Sequence, residues 1–275
     1  FSVIAQPRKY NVLKINTTCT NESDFKYKEL KLEYEGNELH GYYFENEDKK
    51  EKTIAFLCHG YGSGAKDMVP YAKNFLEKGY EVFIPDLRGH AQSKGQYSGL
   101  GVNDVRDIDA WMELIDQENT KTKIIFGASM GGTIALRSAI QLSANRKIKG
   151  VIVDSVPIDF WKIVECVYSW KMKGSLNQIK SHLNSIMRRE LHFDLDDLNL
   201  MSILNKMKVP VLFIHGKNDG LVDYMDTQRG FEKILAPKEF LLAEESDHLG
   251  ALYELGDEYW KCIDSFIAMI ESTGE

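Results

Sequence analysis

The pattern of hydrophobic and polar positions changes once along the chain, near Thr53. Before it, residues 27–34 and 38–44 alternate apolar and polar side chains on either side of the turn 35–37, which predicts an antiparallel hairpin. After it, short apolar runs without alternation predict parallel strands that are buried on both faces. These runs are 54–58, 80–85, 124–128, 151–153, 209–215 and 240–243.

Stretches with apolar positions at i, i+3 and i+4 separate these runs and predict helices. They are 68–78, 102–116, 131–142, 225–235 and a C-terminal helix over 253–270. The alternation predicts an α/β fold with a mostly parallel central sheet of about eight strands flanked by helices.

Residues 156–206 interrupt this rhythm, because roughly fifty residues stand where one connecting helix would suffice. They predict a small helical cap inserted after the sixth strand. The predicted organisation is therefore an N-terminal extension (1–25), a core (26–155 and 207–275) and the cap (156–206).

The first half of the cap carries an apolar surface too wide for a helix that packs on one side only. Its aromatic side chains are candidates for lining a substrate pocket: Phe160, Trp161, Tyr168 and Trp170. An ordinary buried helix explains the same pattern, since periodicity does not distinguish a core from a pocket wall.

The sequence Gly127-Ala128-Ser129-Met130-Gly131 stands directly between a predicted strand and a predicted helix. It matches the G-x-S-x-G nucleophile elbow, in which a sharp turn needs neighbours with almost no side chain two residues away on each side. Ser129 is therefore the candidate nucleophile. The Met130 N–H would stabilise an oxyanion at the helix N-terminus.

A second oxyanion donor is expected from the loop after the third strand, Leu57-Cys58-His59-Gly60-Tyr61-Gly62. Gly60 would let the backbone turn so that the Tyr61 N–H faces the oxyanion. We interpret His59 as a structural residue that bonds within this loop.

A serine hydroxyl needs a base, and the base needs a carboxylate to hold its tautomer. His248 follows the last strand, just before the final helix, where a loop can overhang the serine. Asp219 follows the seventh strand, and the order Ser129, Asp219, His248 is the order expected for this elbow. Asp154 is the reserve acid and Asp223 a weaker one. The other histidines are assigned to the surface (His40, His182, His192) or to supporting positions (His90, His215).

These motifs, together with Asp86-Leu87-Arg88-Gly89-His90-Ala91-Gln92-Ser93, make residues 26–270 similar to the α/β-hydrolase superfamily. Within it the chain resembles bacterial serine hydrolases and esterases grouped with the serine aminopeptidase and monoacylglycerol lipase-like proteins. Ala91 departs from their motif, which has a second glycine there. The resemblance implies an α/β-hydrolase fold, and an N-terminal membrane anchor occurs in many such relatives.

The 34 basic and 41 acidic residues give a net charge of -7. Such a charge does not favour binding to the negatively charged backbone of nucleic acid, so nucleic acid is not an expected partner. Four scattered cysteines suggest neither a zinc site nor a redox pair and are typical of a reducing compartment. No apolar run approaches a membrane span. We expect no metal or cofactor, and a cytoplasmic location or anchoring through a segment before Phe1. The sequence does not predict the oligomeric state.

The predicted function is cleavage of a carboxylic ester or related acyl bond of a small to medium apolar substrate, through an acyl-serine intermediate. An acyltransferase, a thioesterase or a peptidase could use the same three residues. A catalytically silent protein could keep the fold. A remote alternative is a dinucleotide-binding oxidoreductase, because residues 60–65 satisfy G-x-G-x-x-A and Asp86 follows about twenty residues later.

Overall fold

Eight strands form one sheet in the computed structural model, which describes residues 26–45, 53–117, 119–169 and 176–272. The strands are β1 (Lys28–Tyr34), β2 (Asn37–Phe44), β3 (Thr53–Cys58), β4 (Glu81–Pro85), β5 (Thr122–Ala128), β6 (Ile148–Asp154), β7 (Val211–Gly216) and β8 (Lys238–Ala243). Their spatial order is β1-β2-β4-β3-β5-β6-β7-β8.

The hairpin β1–β2 is antiparallel, and β2 joins β4 in an antiparallel pair that brings Gly41 opposite Pro85. All later pairs are parallel. Every residue of β3, β4 and β7 is buried, as expected for strands that helices cover on both faces. The predicted fold class is confirmed.

Helices cover the two faces of the sheet. They are α1 (Val69–Glu77), α2 (Asp104–Ile115), α3 (Met130–Arg146), α4 (Phe160–Ser169), α5 (Leu176–Glu190), α6 (Tyr224–Lys233), α7 (Ala251–Leu255) and α8 (Asp257–Ser272). Trp111 of α2 and Ile134 of α3 pack into one apolar cluster, whereas Phe75 of α1 and Phe266 of α8 pack into a second. Burial of both faces fixes the strands that end at the site described below.

Between β6 and β7 the chain forms α4, α5 and two short 3-10 helices, Leu195–Leu198 and Leu204–Lys206. Side chains from α4 and α5 join Leu100 in a third apolar cluster, separate from the two that cover the sheet. The predicted extension 1–25 lies outside the described residues.

Two predictions made from the sequence, for the C-terminal helix and for His40, are wrong. The single C-terminal helix over 253–270 is two helices, α7 and α8, because Gly256 takes φ +51° and ends the first one. His40 is buried, because β2 lies between β1 and β4 in the sheet, and its ring nitrogens lie 3.1 Å from a Glu29 carboxylate oxygen and 3.0 Å from one of Glu38. The helical period does not reveal a one-residue break of this kind, and strand alternation does not reveal that a third strand, β4, pairs with the hairpin.

Candidate active site

Ser129 stands in the turn between β5 and α3 with φ +53° and ψ −121°, a conformation that costs energy for any residue with a side chain. Its two glycine neighbours make the turn possible. A Cβ on Gly127 would lie 2.2 Å from the Gly131 carbonyl oxygen, and one on Gly131 would lie 2.0 Å from the Cys58 carbonyl oxygen. The spacing predicted from the sequence therefore has a steric cause in the backbone on either side.

The structure brings the three predicted catalytic residues into one hydrogen-bonded chain. His248 Nε2 lies 3.0 Å from Ser129 Oγ, and His248 Nδ1 lies 2.7 Å from Asp219 Oδ2. The Asp219 side chain is fully buried, whereas 22% of the His248 side chain is exposed. With Nδ1–H donating to Asp219, Nε2 is left to accept the Ser129 hydroxyl proton.

The turn after β7 holds Asp219 in place. Its Oδ1 accepts the N–H groups of Leu221 and Val222, both at 2.9 Å. Burial opposes ionisation of this carboxyl, but hydrogen bonds from His215 and His248 outweigh burial and hold its pKa well below the usual value. Asp219 is therefore a carboxylate at neutral pH, as a partner for an imidazolium must be.

Gly60 lies opposite the serine: a Cβ built on it would lie 3.4 Å from Ser129 Cβ and 3.9 Å from Ser129 Oγ. Tyr61 follows it. Met130 is the first residue of α3, so its N–H belongs to the turn of the helix where N–H groups have no intrahelical acceptor. The two predicted oxyanion donors thus come from segments on either side of Ser129.

His59 fixes the loop that carries Gly60. Its Nδ1 lies 2.7 Å from the Gly60 carbonyl oxygen, and its Nε2 lies 3.0 Å from the Leu87 nitrogen. Burial lowers its pKa to about 3, so the ring is neutral and donates at one nitrogen while it accepts at the other. This arrangement agrees with the structural role expected from the sequence.

Asp86 uses both carboxylate oxygens within its own surroundings. Oδ1 accepts the Ala65 N–H at 2.8 Å, and Oδ2 accepts the Gln92 N–H at 3.1 Å. The residue is 2% exposed, so it does not offer the free carboxylate with which a dinucleotide site holds a ribose. In the same loop Ala91 takes φ +43°, where the related motif has glycine.

The predicted pocket residues Phe160 and Trp161 are buried in the apolar cluster formed with α5. Tyr61 packs against the same cluster, so apolar surface runs from these helices to the loop beside Ser129. The side chain of Tyr168, and all of Trp170, lie outside the described part of the chain.

A cleft of about 230 Å³ separates α4 from the turn that carries Asp219. Its lining is mixed: Ile163, Leu221 and Val222 are apolar, and the charged side chains are Asp159, Lys162, Asp219, Asp223 and Asp226. Lys162 of α4 pairs with Asp226 of α6 at its edge.

Sequence reasoning did not single out Ser155 or a contact of His215 with Asp219. His215 Nε2 lies 3.0 Å from the Val222 carbonyl oxygen and 3.3 Å from Asp219 Oδ2. Its position one residue before the end of β7 was the available signal. Asp154, the reserve acid, is fully buried and bonded elsewhere.

The described residues contain no cluster of three or more histidine, cysteine or carboxylate side chains that could hold a metal ion. Within the same residues, no helix is both long and apolar enough to cross a lipid bilayer.

The sheet order and the strand, turn and helix around Ser129 define an α/β-hydrolase. A family model, serine aminopeptidase S33, matches residues 49–188, just over half of the chain. The chain belongs to this family, and it is a hydrolase of the esterase-like type.

Two relatives illustrate the similarity. The chain is 23% identical over 253 residues to the uncharacterized protein YqkD of Bacillus subtilis. The aligned region covers 87% of this chain and 78% of YqkD. It is 24% identical over 231 residues to putative esterase/lipase 1 of Mycoplasma genitalium. That aligned region covers 70% of this chain and 83% of the Mycoplasma protein. An esterase of Pyrococcus furiosus superposes with a TM-score of 0.73 at 22% identity, covering 98% of each chain. At this identity the structural likeness shows the fold alone.

Proposed function

We propose that the chain is a serine esterase that cleaves carboxylic esters through an acyl-serine intermediate. The observation that carries the proposal is the hydrogen-bonded chain from Ser129 through His248 to the buried carboxylate of Asp219. A serine hydroxyl becomes an effective nucleophile when such a base accepts its proton.

In the proposed reaction His248 Nε2 takes the proton from Ser129 Oγ while the oxygen attacks the ester carbonyl carbon. The tetrahedral intermediate collapses, the alkoxide leaves with the proton from His248, and the acyl group stays on Ser129. Water then attacks the acyl-serine and gives a proton to His248. The second tetrahedral intermediate collapses, the bond between Ser129 Oγ and the acyl carbon breaks, His248 returns the proton to Ser129 Oγ, and the free acid is released. Asp219 stabilises the imidazolium in both halves.

The developing oxyanion needs donors that are already oriented. We assign this task to the backbone N–H groups of Met130 and Tyr61. The N-terminal end of α3 also places a positive dipole end beside Ser129, which favours the same charge.

We infer that residues 156–206 form a cap over the site and that the substrate is apolar and of small to medium size. The apolar cluster of α4 and α5 reaches Tyr61 beside Ser129. Phe160, Trp161, Tyr168 and Trp170 remain the candidate lining residues of this cap.

Cleavage of a peptide amide is the second candidate function, because the family model that matches residues 49–188 is that of a serine aminopeptidase. The same three residues would serve, with an amine instead of an alcohol taking the proton from His248. The two candidates differ only in the leaving group.

A substrate panel distinguishes them. Purified protein is assayed with p-nitrophenyl esters of increasing acyl length beside aminoacyl anilides. Faster cleavage of short and medium esters is expected, and turnover restricted to the anilides would favour the peptidase.

Ser129→Ala tests the mechanism. It should lower kcat by several orders of magnitude and abolish labelling by a fluorophosphonate. Ser138→Ala is the matched control, since Ser138 is a fully buried serine further along α3, and it should retain both. Equal turnover by wild type and Ser129→Ala would refute the proposal.

A further inference from the structure

The end of β6 contacts both the turn that carries Ser129 and the loop that carries His248. The Ser129 N–H donates to the Asp154 carbonyl oxygen at 2.8 Å. The next residue, Ser155, accepts the Leu249 N–H on its hydroxyl oxygen at 3.1 Å. Two consecutive residues therefore contact the nucleophile on one side and the neighbour of His248 on the other.

Ser155 is held in a conformation that ordinary sequence preference does not favour. It is fully buried with φ +53°, a left-handed conformation that costs roughly 1 kcal/mol or more in a residue other than glycine. Its N–H donates to the Ile214 carbonyl oxygen of β7 at 2.9 Å, so the sheet itself fixes the backbone. Leu249, its partner, also has positive φ, at +61°.

The Asp154 carboxyl orients the Ser155 hydroxyl. Ser155 Oγ donates to Asp154 Oδ1 at 3.0 Å, and the Tyr259 hydroxyl donates to Asp154 Oδ2 at 2.9 Å. Since the hydroxyl proton is committed to Asp154, a lone pair of Oγ is directed to the Leu249 N–H. All of Asp154, Ser155 and Tyr259 are fully buried, so water does not compete for these bonds.

We propose that Ser155 is a positioning residue, which holds the loop of His248 in register with Ser129 through its hydrogen bond to Leu249. The inference rests on the proposed serine mechanism. Its physical basis is that Leu249 follows His248 directly, so release of its N–H lets the imidazole move relative to Ser129 Oγ. Small displacements of a catalytic group are costly, on the order of a hundredfold in rate for 1 Å.

Two variants separate positioning from stability. Ser155→Ala and Ser155→Gly both remove the hydroxyl, but only glycine also relieves the backbone at φ +53°. We expect kcat for a p-nitrophenyl ester to fall about ten- to a hundredfold in both, with KM changed less than about twofold. We also expect Ser155→Gly to unfold at a higher urea concentration than Ser155→Ala.

A spectroscopic readout follows the histidine directly. The proton on His248 Nδ1 that is bonded to Asp219 should give a low-field proton resonance in the wild-type protein. We expect this resonance to shift or broaden in Ser155→Gly, and to be unchanged in Ser138→Ala, which removes a buried hydroxyl elsewhere on α3.

The outcomes are distinct. If Ser155→Gly recovers the wild-type kcat while Ser155→Ala does not, activity follows backbone stability and the positioning role is overturned. Wild-type kcat in both variants overturns it as well and leaves the proposed function standing. If the wild-type protein is neither labelled by a fluorophosphonate nor active on esters, the proposed function fails and this inference with it.

Discussion

Asp104 is a buried carboxyl whose replacement should change how the stability of the fold depends on pH. It is the first residue of α2, it is fully buried, and its Oδ2 accepts the Gly101 N–H at 2.7 Å. Burial, followed by repulsion from Asp107, raises its pKa from 3.8 to about 7, although the Gly101 N–H and Arg88 oppose the shift.

The sign of the effect follows from proton binding. Between pH 4 and 7 the folded protein keeps a proton on Asp104 that the unfolded chain releases, so its stabilising contribution is full below pH 3.8 and is lost as pH rises to about 7. A shift of about three units corresponds to at most about 4 kcal/mol at 1.36 kcal/mol per unit. Asp104→Asn removes this titration but retains an oxygen that can accept from Gly101.

Urea denaturation of wild type and Asp104→Asn at pH 5 and pH 8 measures the effect. The free energy of unfolding of the variant, relative to wild type, should be higher at pH 8 than at pH 5 by about 2 to 3 kcal/mol. The new amide adds a cost that is the same at both pH values, so the difference between them is the informative quantity. Asp109→Asn, an acid-to-amide change on the same helix at a part-exposed side chain, should change the free energy by less than about 1 kcal/mol. A pH-independent difference for Asp104→Asn would refute the reasoning.

Two further predictions concern stability. Gly131→Ala should prevent formation of the nucleophile turn, because its Cβ would lie 2.0 Å from the Cys58 carbonyl oxygen; we expect little soluble folded protein by circular dichroism, and a native-like spectrum would contradict this. Lys123→Met should cost about 3 to 5 kcal/mol in urea denaturation, because it leaves the buried carboxylate of Asp116 without its cation. Lys28→Met, at an exposed ion pair, should cost less than about 1 kcal/mol, and an equal loss in the two lysine variants would exclude the burial explanation.

The fold could be predicted from the sequence because each strand buried on both faces appears as an unbroken apolar run. The runs at 54–58 and 209–215 correspond to β3 and β7 within two residues. The periodicity did not show the break at Gly256, since apolar positions keep the helical period on both sides of it; the available signal was the glycine itself, the residue that most often ends a helix with positive φ. Periodicity reports which face is buried, and it carries no information on a single residue with positive φ.

The site shows the same division. The turn around Ser129 was predictable because sterics demand a local pattern, Gly-x-Ser-x-Gly, and loops after β7 and β8 supplied an acid and a histidine in the expected order. The bond from Ser155 to Leu249 joins residues 94 apart in sequence. The sequence around Ser155, a serine after an aspartate, does not predict this partner, because the hydrogen bonds of Ser155 depend on how neighbouring strands end beside one another.

The residues with positive φ around the site indicate why the sheet matters for the proposed chemistry. Ser129, Ser155 and Leu249 each take a left-handed or related conformation, with φ between 53° and 61°, and each such residue costs on the order of 1 to 3 kcal/mol. Such costs persist only where surrounding contacts leave no alternative. Here the Ser129 N–H donates to the end of β6 and the Ser155 N–H donates to β7, and both strands are buried on two faces. A site built on these strand ends can therefore keep Ser129 and His248 in one geometry, whereas the same residues on a free loop would relax to unstrained conformations.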